Sequence, residues 1–193
     1  MIMIREEQRY GRNKETAVNR AYIESGEFRR KFDSIVDDPK IARILYSLAK
    51  EMLFHRSGTR IEDMYWIDGV TGEIVASVTD QTEETEQHIV YSESIKKILE
   101  KRENLISLHT HPASMPPSPD DFNACYQNGY MISLVICHDG TIYQYKSEQR
   151  FSEELFALRV SKYIQMGYSE KEAQISALNA IKRSYNIDFW EVI

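Results

Sequence analysis

The sequence predicts an α/β domain, and three observations carry that prediction. A broad apolar face at helical spacing begins at Asp38-Pro39. Two strand-type runs flank a turn at Gly69–Gly72. Two further apolar runs, 105–109 and 131–137, are separated by a segment that opens with a helix cap. The chain has 193 residues, 42% of them hydrophobic and 28% charged, enough for one full core. The expected organisation is an N-terminal helical extension over 1–36, a central domain over 37–147 and a C-terminal helical hairpin over 148–193.

In chain order, the first segment mixes both charges densely. Gly11 and Gly26 interrupt any long helix, which leaves short helices around Lys14–Glu24 and Glu27–Ile35. Phe28, Phe32 and Ile35 form one apolar stripe, expected to dock on the domain. Arg9, Arg12, Arg29, Arg30 and Lys31 are interleaved with Glu and read as a solvated face. Asp37-Asp38-Pro39 starts a helix running to about His55, with Ile41, Ile44, Leu45, Leu48, Met52 and Leu53 inward. His55-Arg56-Ser57-Gly58 ends it, with cations where the dipole favours them, so His55 reads as a helix-end cation and not a ligand.

Arg60–Asp68 and Glu73–Thr79 are the strands of a hairpin. The acidic stretch 79–86 reads as a loop and Ile89-Val90-Tyr91 as a short strand; the 80–90 segment is either a plain surface loop or a gate to a neighbouring site. Ser92 caps a helix to Lys101, with Ile95, Ile98 and Leu99 inward. Beyond 121 a helix turns Phe122, Cys125 and Tyr126 inward and stops near Asn128-Gly129. Met131–Cys137 is nearly continuous apolar sequence, hence a central strand covered on both faces. His138-Asp139-Gly140 turns into the return strand Thr141–Tyr145, and His138 is expected to bond locally. His88 has no partner pattern. A helix over Phe151–Met166, with Leu155, Leu158, Val160 and Ile164 among its apolar positions, ends at Gly167. A capping box at Ser169–Glu172 opens another helix to about Tyr185.

The stretch with chemistry is Leu105 to Asp121. Side chains alternate along a strand, so His109 and His111 point to one side. Pro112 cannot donate to a ladder and ends the strand. Ser118-Pro119-Asp120-Asp121 is a helix start, with Ser at the N-cap, Pro at N1 and carboxylates in the first turn. Two imidazoles at a strand end and a carboxylate at a helix start can therefore converge. Two His, one Asp and a water are a four-coordinate catalytic zinc set with one open position.

This order of residues resembles the JAMM metalloprotease motif of the catalytic MPN or JAB domain: His-x-His-Pro, a short loop, then Ser-x-x-Asp. The matching residues are His109, His111, Pro112, Ser118 and Asp121, and the resemblance covers roughly Pro39 to Tyr145. One departure is that six residues, Pro112 to Pro117, separate the second His from the Ser where the common form has seven. That puts the register of Ser118 and Asp121 in question and makes Asp120 the alternative ligand. The resemblance implies a cytidine-deaminase-like JAB/MPN fold, a mixed central sheet flanked by helices, with the helical extensions added to it. It implies zinc on His109, His111 and Asp121, an oxyanion contact from Ser118, and an upstream Glu as general acid and base. In JAMM and RadC-like domains that Glu begins the strand after the first helix, which selects Glu62. Glu51, inside the helix, is its rival, and Asp63 should face the opposite side.

The implied activity is that of a zinc metallopeptidase or isopeptidase acting on a protein or peptide, for example at a ubiquitin-like tail. The alternative is a RadC-like, phage or mobile-element JAB protein, serving as a non-catalytic interaction module or in a DNA-related role. Tyr10-Gly-Arg-Asn and Ser25–Asp33 are similar to segments of phage-associated bacterial proteins. The net charge of −6 gives no footprint for nucleic acid. Residues 1–7 are too short and too soon charged for a signal peptide, and no window approaches a membrane span. Cys125 and Cys137 lack metal-ligand or disulfide spacing and read as buried thiols of a cytoplasmic protein. The terminal helices could serve self-association, partner docking or a substrate groove, and the sequence does not choose.

Overall fold

The computed structural model describes residues 15–82, 89 and 92–193. Arg9, Arg12, Tyr10, residues 1–7, His88, most of the acidic loop, and Val90 and Tyr91 lie outside that set. The elements in order are α1 (Arg20–Ile23), α2 (Gly26–Asp33), α3 (Pro39–Arg56), β1 (Met64–Asp68), β2 (Ile74–Val78), α4 (Glu93–Leu99) and β3 (Leu105–His111). They continue with α5 (Pro119–Asn128), β4 (Ile132–Cys137), β5 (Ile142–Ser147), α6 (Glu153–Gln165), α7 (Glu170–Ile181) and β6 (Ile187–Glu191).

The six strands form one mixed sheet in the order β2-β1-β3-β4-β5-β6. Only β3 and β4 run parallel, joined by the crossover helix α5, and every other neighbouring pair is antiparallel. Alternation divides the sheet's side chains between two cores. On one face Ile67, Ile106, Leu108, Leu134, Ile136 and Ile142 pack under α1 to α3. On the other Met64, Trp66, Val135, Cys137, Tyr143 and Tyr145 pack with residues of α4 to α7.

The start signals of the long helices operate as local chemistry predicts. The Asp38 side chain accepts the Lys40 N–H at 2.7 Å, with Pro39 in the first turn of α3. The N-terminal stripe is docked: Phe28 and Phe32 are fully buried and meet each other edge-on, with ring centroids 5.4 Å apart. Burying each such ring stabilises the fold by about 2–3 kcal/mol. The first helix is only four residues long, from its Asn19 cap to Ile23, much shorter than its sequence span.

Several expectations change in three dimensions. The C-terminal segment carries its two helices but is not only a helical hairpin. Residues Ile187–Glu191 form a strand that pairs with β5 and extends the sheet. Ile98 and Tyr126 are exposed, not inward, and the apolar positions Leu158 and Ile164 are exposed as well, because α4, α5 and α6 lie at the periphery and bury a narrower stripe than their apolar spacing allows. His138 does not bond locally. It is buried, with Nδ1 2.7 Å from the Thr16 carbonyl oxygen, which also accepts the Gly58 N–H. Both cysteines are buried free thiols. No helix among the described residues is long and apolar enough to cross a membrane.

Candidate metal centre

The centre forms where the parallel pair ends. His109 and His111 project from the last turns of the pleat on β3, on the face that α5 covers. Ser118 is the N-cap of α5 and makes a reciprocal capping box with Asp121. The Asp121 N–H donates to Ser118 Oγ at 3.2 Å, while the Ser118 N–H and hydroxyl donate to Asp121 Oδ2 at 2.7 and 2.8 Å. Oδ2 carries the cap and also lies 3.5 Å from His111 Nε2, while Oδ1 is turned toward His109. The loop one residue shorter than the common motif leaves this geometry intact.

His109 Nε2 lies 3.1 Å from His111 Nε2 and 3.1 Å from Asp121 Oδ1, and His111 Nε2 lies 3.5 Å from the same carboxylate. A tetrahedral zinc with ligand bonds of about 2.0–2.1 Å has ligand–ligand edges of about 3.3 Å. The separations are of that order, although the His109 edge runs to Asp121 Oδ1 and the His111 edge to Oδ2. Glu62, His109 and His111 also offer atoms within 4.8 Å of one another, but Glu62 Oε1 stands 3.9 Å from His111 Nε2. That separation is longer than a ligand edge and suits a carboxylate beside the centre. Together they make a JAMM/MPN-like metal-binding cluster, with Glu62 adjacent to His109, His111 and Asp121.

The other carboxylates fall elsewhere. Asp120 is exposed on the rim of the same cavity. Glu51 accepts the Tyr65 hydroxyl at 3.2 Å. Asp63 points to the opposite side from Glu62 and is buried against α3, where Arg56 Nε donates to its Oδ1 at 2.5 Å and His55 Nδ1 lies 2.7 Å from its Oδ2. Asp63 is also locked by its backbone to Thr110, the residue between the two histidines. The Asp63 N–H donates to Thr110 Oγ1, and the Thr110 N–H donates to the Asp63 carbonyl, both at 3.0 Å. The register of Glu62 against the histidines is thus fixed from behind the sheet.

The electrostatics couple the imidazoles to the carboxylates. Burial alone would lower the pKa of His111, yet Glu62 and Asp121 outweigh it and push it up to about 9. Burial works to raise Asp121, but His109 and His111 hold its carboxyl well below the usual range. His111 Nδ1 faces the Met115 carbonyl oxygen at 3.1 Å, which fixes the tautomer and leaves Nε2 for the centre. His109 Nδ1 is buried without a hydrogen-bond partner among the described residues.

The cluster opens into a cavity of about 530 Å³, within the size range of small-molecule and peptide sites. Met64, Met115, Pro116, Tyr130 and Tyr145 line it, and Gln174 of α7 enters from the C-terminal segment. Sequence reasoning missed Tyr130, Tyr145 and Gln174, which carry no local motif. Spacing did hold one signal: Gln174 directly follows Ala173, at the border of the α7 apolar face. The chain was compared with protein-family models, curated proteins and solved structures, and it matches none.

Proposed function

We propose that this protein is a zinc-dependent hydrolase of the JAMM type that cleaves a peptide or isopeptide bond in a protein substrate. The single observation that carries the reading is the convergence of His109, His111 and the Asp121 carboxylate at 3.1–3.5 Å, with Glu62 Oε1 3.9 Å from His111 Nε2. When bound, zinc supplies Lewis acidity that polarises a carbonyl and makes a water nucleophilic near neutral pH. His109, His111 and Asp121 hold the ion. Glu62 takes the proton of the attacking water and delivers it to the leaving amine nitrogen as the C–N bond breaks. Ser118 orients Asp121 through its hydroxyl, and contact with an oxyanion requires that hydroxyl to rotate away from Oδ2. A lysine-linked ubiquitin-like tail is one substrate of this class, suggested by the family resemblance.

The test is metal content after purification without a chelating tag. About one zinc per chain is expected, lost in His109→Ala/His111→Ala. Glu62→Ala should keep its zinc and lose hydrolysis of peptide and isopeptide libraries. A wild type that neither holds nor takes up zinc overturns the reading.

A further inference from the structure

The C-terminal segment adds more than an edge strand. Helix α7 is held in place by its capping box, in which the Ser169 N–H donates to Glu172 Oε2 at 3.0 Å. It is also held by Ala173, Ala177, Leu178 and Ile181, all buried. Two fully buried alanines let the helix lie close against the core. Gln174 follows Ala173, and one helical step of about 100° carries its side chain to the edge of the buried stripe. There it is half-buried in the wall of the cavity that holds the metal cluster.

The other polar groups around it have assigned work. The Ser118 hydroxyl donates to Asp121, Tyr130 Oη accepts the Trp66 Nε1–H at 2.8 Å, and His111 Nδ1 faces the Met115 carbonyl. The Gln174 amide makes no hydrogen bond with any described residue, so two N–H donors and a carbonyl acceptor remain unspent on a side chain that lines the cavity. No Lys or Arg lines the cavity among the described residues, so away from the metal cluster its wall offers no cationic side chain to an anionic group. A primary amide is instead the complement of a main-chain amide, donating to its C=O and accepting from its N–H.

We propose that Gln174 is a substrate-contacting residue that pairs with the main chain of an extended peptide segment. This inference rests on the metal-hydrolase reading and assigns that site its substrate-binding wall.

The experiment uses the full zinc-loaded chain and two metal-directed probes, acetohydroxamate and an N-acetylated tripeptide hydroxamate, with affinities read by calorimetry. Acetohydroxamate reaches only the metal, whereas the tripeptide extends along the cavity. Gln174→Leu removes the amide at similar size, and Gln174→Ala removes it with a good helix former. Both variants should keep the wild-type zinc content and acetohydroxamate affinity and bind the tripeptide probe about tenfold more weakly, the loss expected for a pair of hydrogen bonds. Unchanged tripeptide affinity in both variants overturns the proposal, as does equal weakening of both probes, which would make Gln174 structural. A wild type that binds zinc but neither probe overturns the hydrolase reading and this inference with it.

Discussion

Removing the Asp63 carboxylate should be among the most damaging single changes available outside the metal cluster. Arg56 and Asp63 have side chains only 1% exposed. The guanidinium donates from Nε to Asp63, from Nη1 to the Gln81 carbonyl at 3.0 Å and from Nη2 to the Thr79 carbonyl at 2.9 Å. In Asp63→Ala the buried guanidinium loses its carboxylate at Nε, a change of the kind that costs about 3–5 kcal/mol. In urea, with a slope of about 2 kcal/mol/M for a chain of this size, the unfolding midpoint should fall by about 2 M. Burial raises the Asp63 pKa even against His55 and Arg56, so the pair does not fully offset its own desolvation. It follows that Arg56→Met/Asp63→Leu, which removes both charges, should lose less than the single variant, although the carbonyls of Thr79 and Gln81 give up a donor. The two bonds between residue 63 and Thr110 use the main chain of residue 63 and survive the substitution, so the single variant should keep the placement of Glu62 and every metal ligand. A loss under about 1 kcal/mol in Asp63→Ala, or a double variant less stable than the single, refutes this reasoning.

Two further outcomes follow from the metal cluster. Ser118→Ala deletes both the N-cap of α5 and the hydroxyl that orients Asp121. It should cost about 1 kcal/mol of stability and weaken zinc binding by about 10–100-fold, checked by urea titration and by competition with a chromophoric chelator. In metal-free protein His111 titrates at about 9 rather than 6.5. A folded-state pKa raised in this way contributes stability that is fully present below about pH 6.5 and is lost as pH rises toward 9. Zinc needs the unprotonated ring, so its own contribution grows over the same interval. Urea midpoints between pH 6 and 9.5, with and without chelator, should therefore diverge, and parallel curves would contradict the assignment.

What the sequence made legible was local. The Asp38-Pro39 start, the period-two placement of His109 and His111 and the Ser118 cap are each decided by residues a few positions apart. Glu62 and Asp63 part company for the same reason, since neighbours on an extended chain face opposite ways. The illegible features depend on which distant element arrives. His138 meets a carbonyl from residue 16, and Arg56 meets carbonyls beyond the hairpin. Periodicity identified apolar faces on α4 and α6 but could not say that these helices lie at the periphery, where Ile98 and Leu158 stay in water. The last strand had a readable pattern, with Ile187 and Phe189 alternating with polar or exposed neighbours. It sits directly after a helix that appeared to run on, and the break is made by Asn186 at a φ of 44°.

The position of β6 bears on how the protein is born. A ribosome delivers the histidines and the capped aspartate well before residues 187–191, and folding during synthesis proceeds from the N-terminal side. The late strand not only pairs with β5. Its neighbour Val192 sends an N–H to the Ile142 carbonyl at 2.8 Å and buries its side chain under the first three helices. The helix that carries Gln174 likewise follows the metal-ligating residues in the chain. A nascent chain can therefore carry every metal-ligating residue while its sheet edge is still open and the wall of its cavity is missing, so the order of translation itself delays assembly of the complete site.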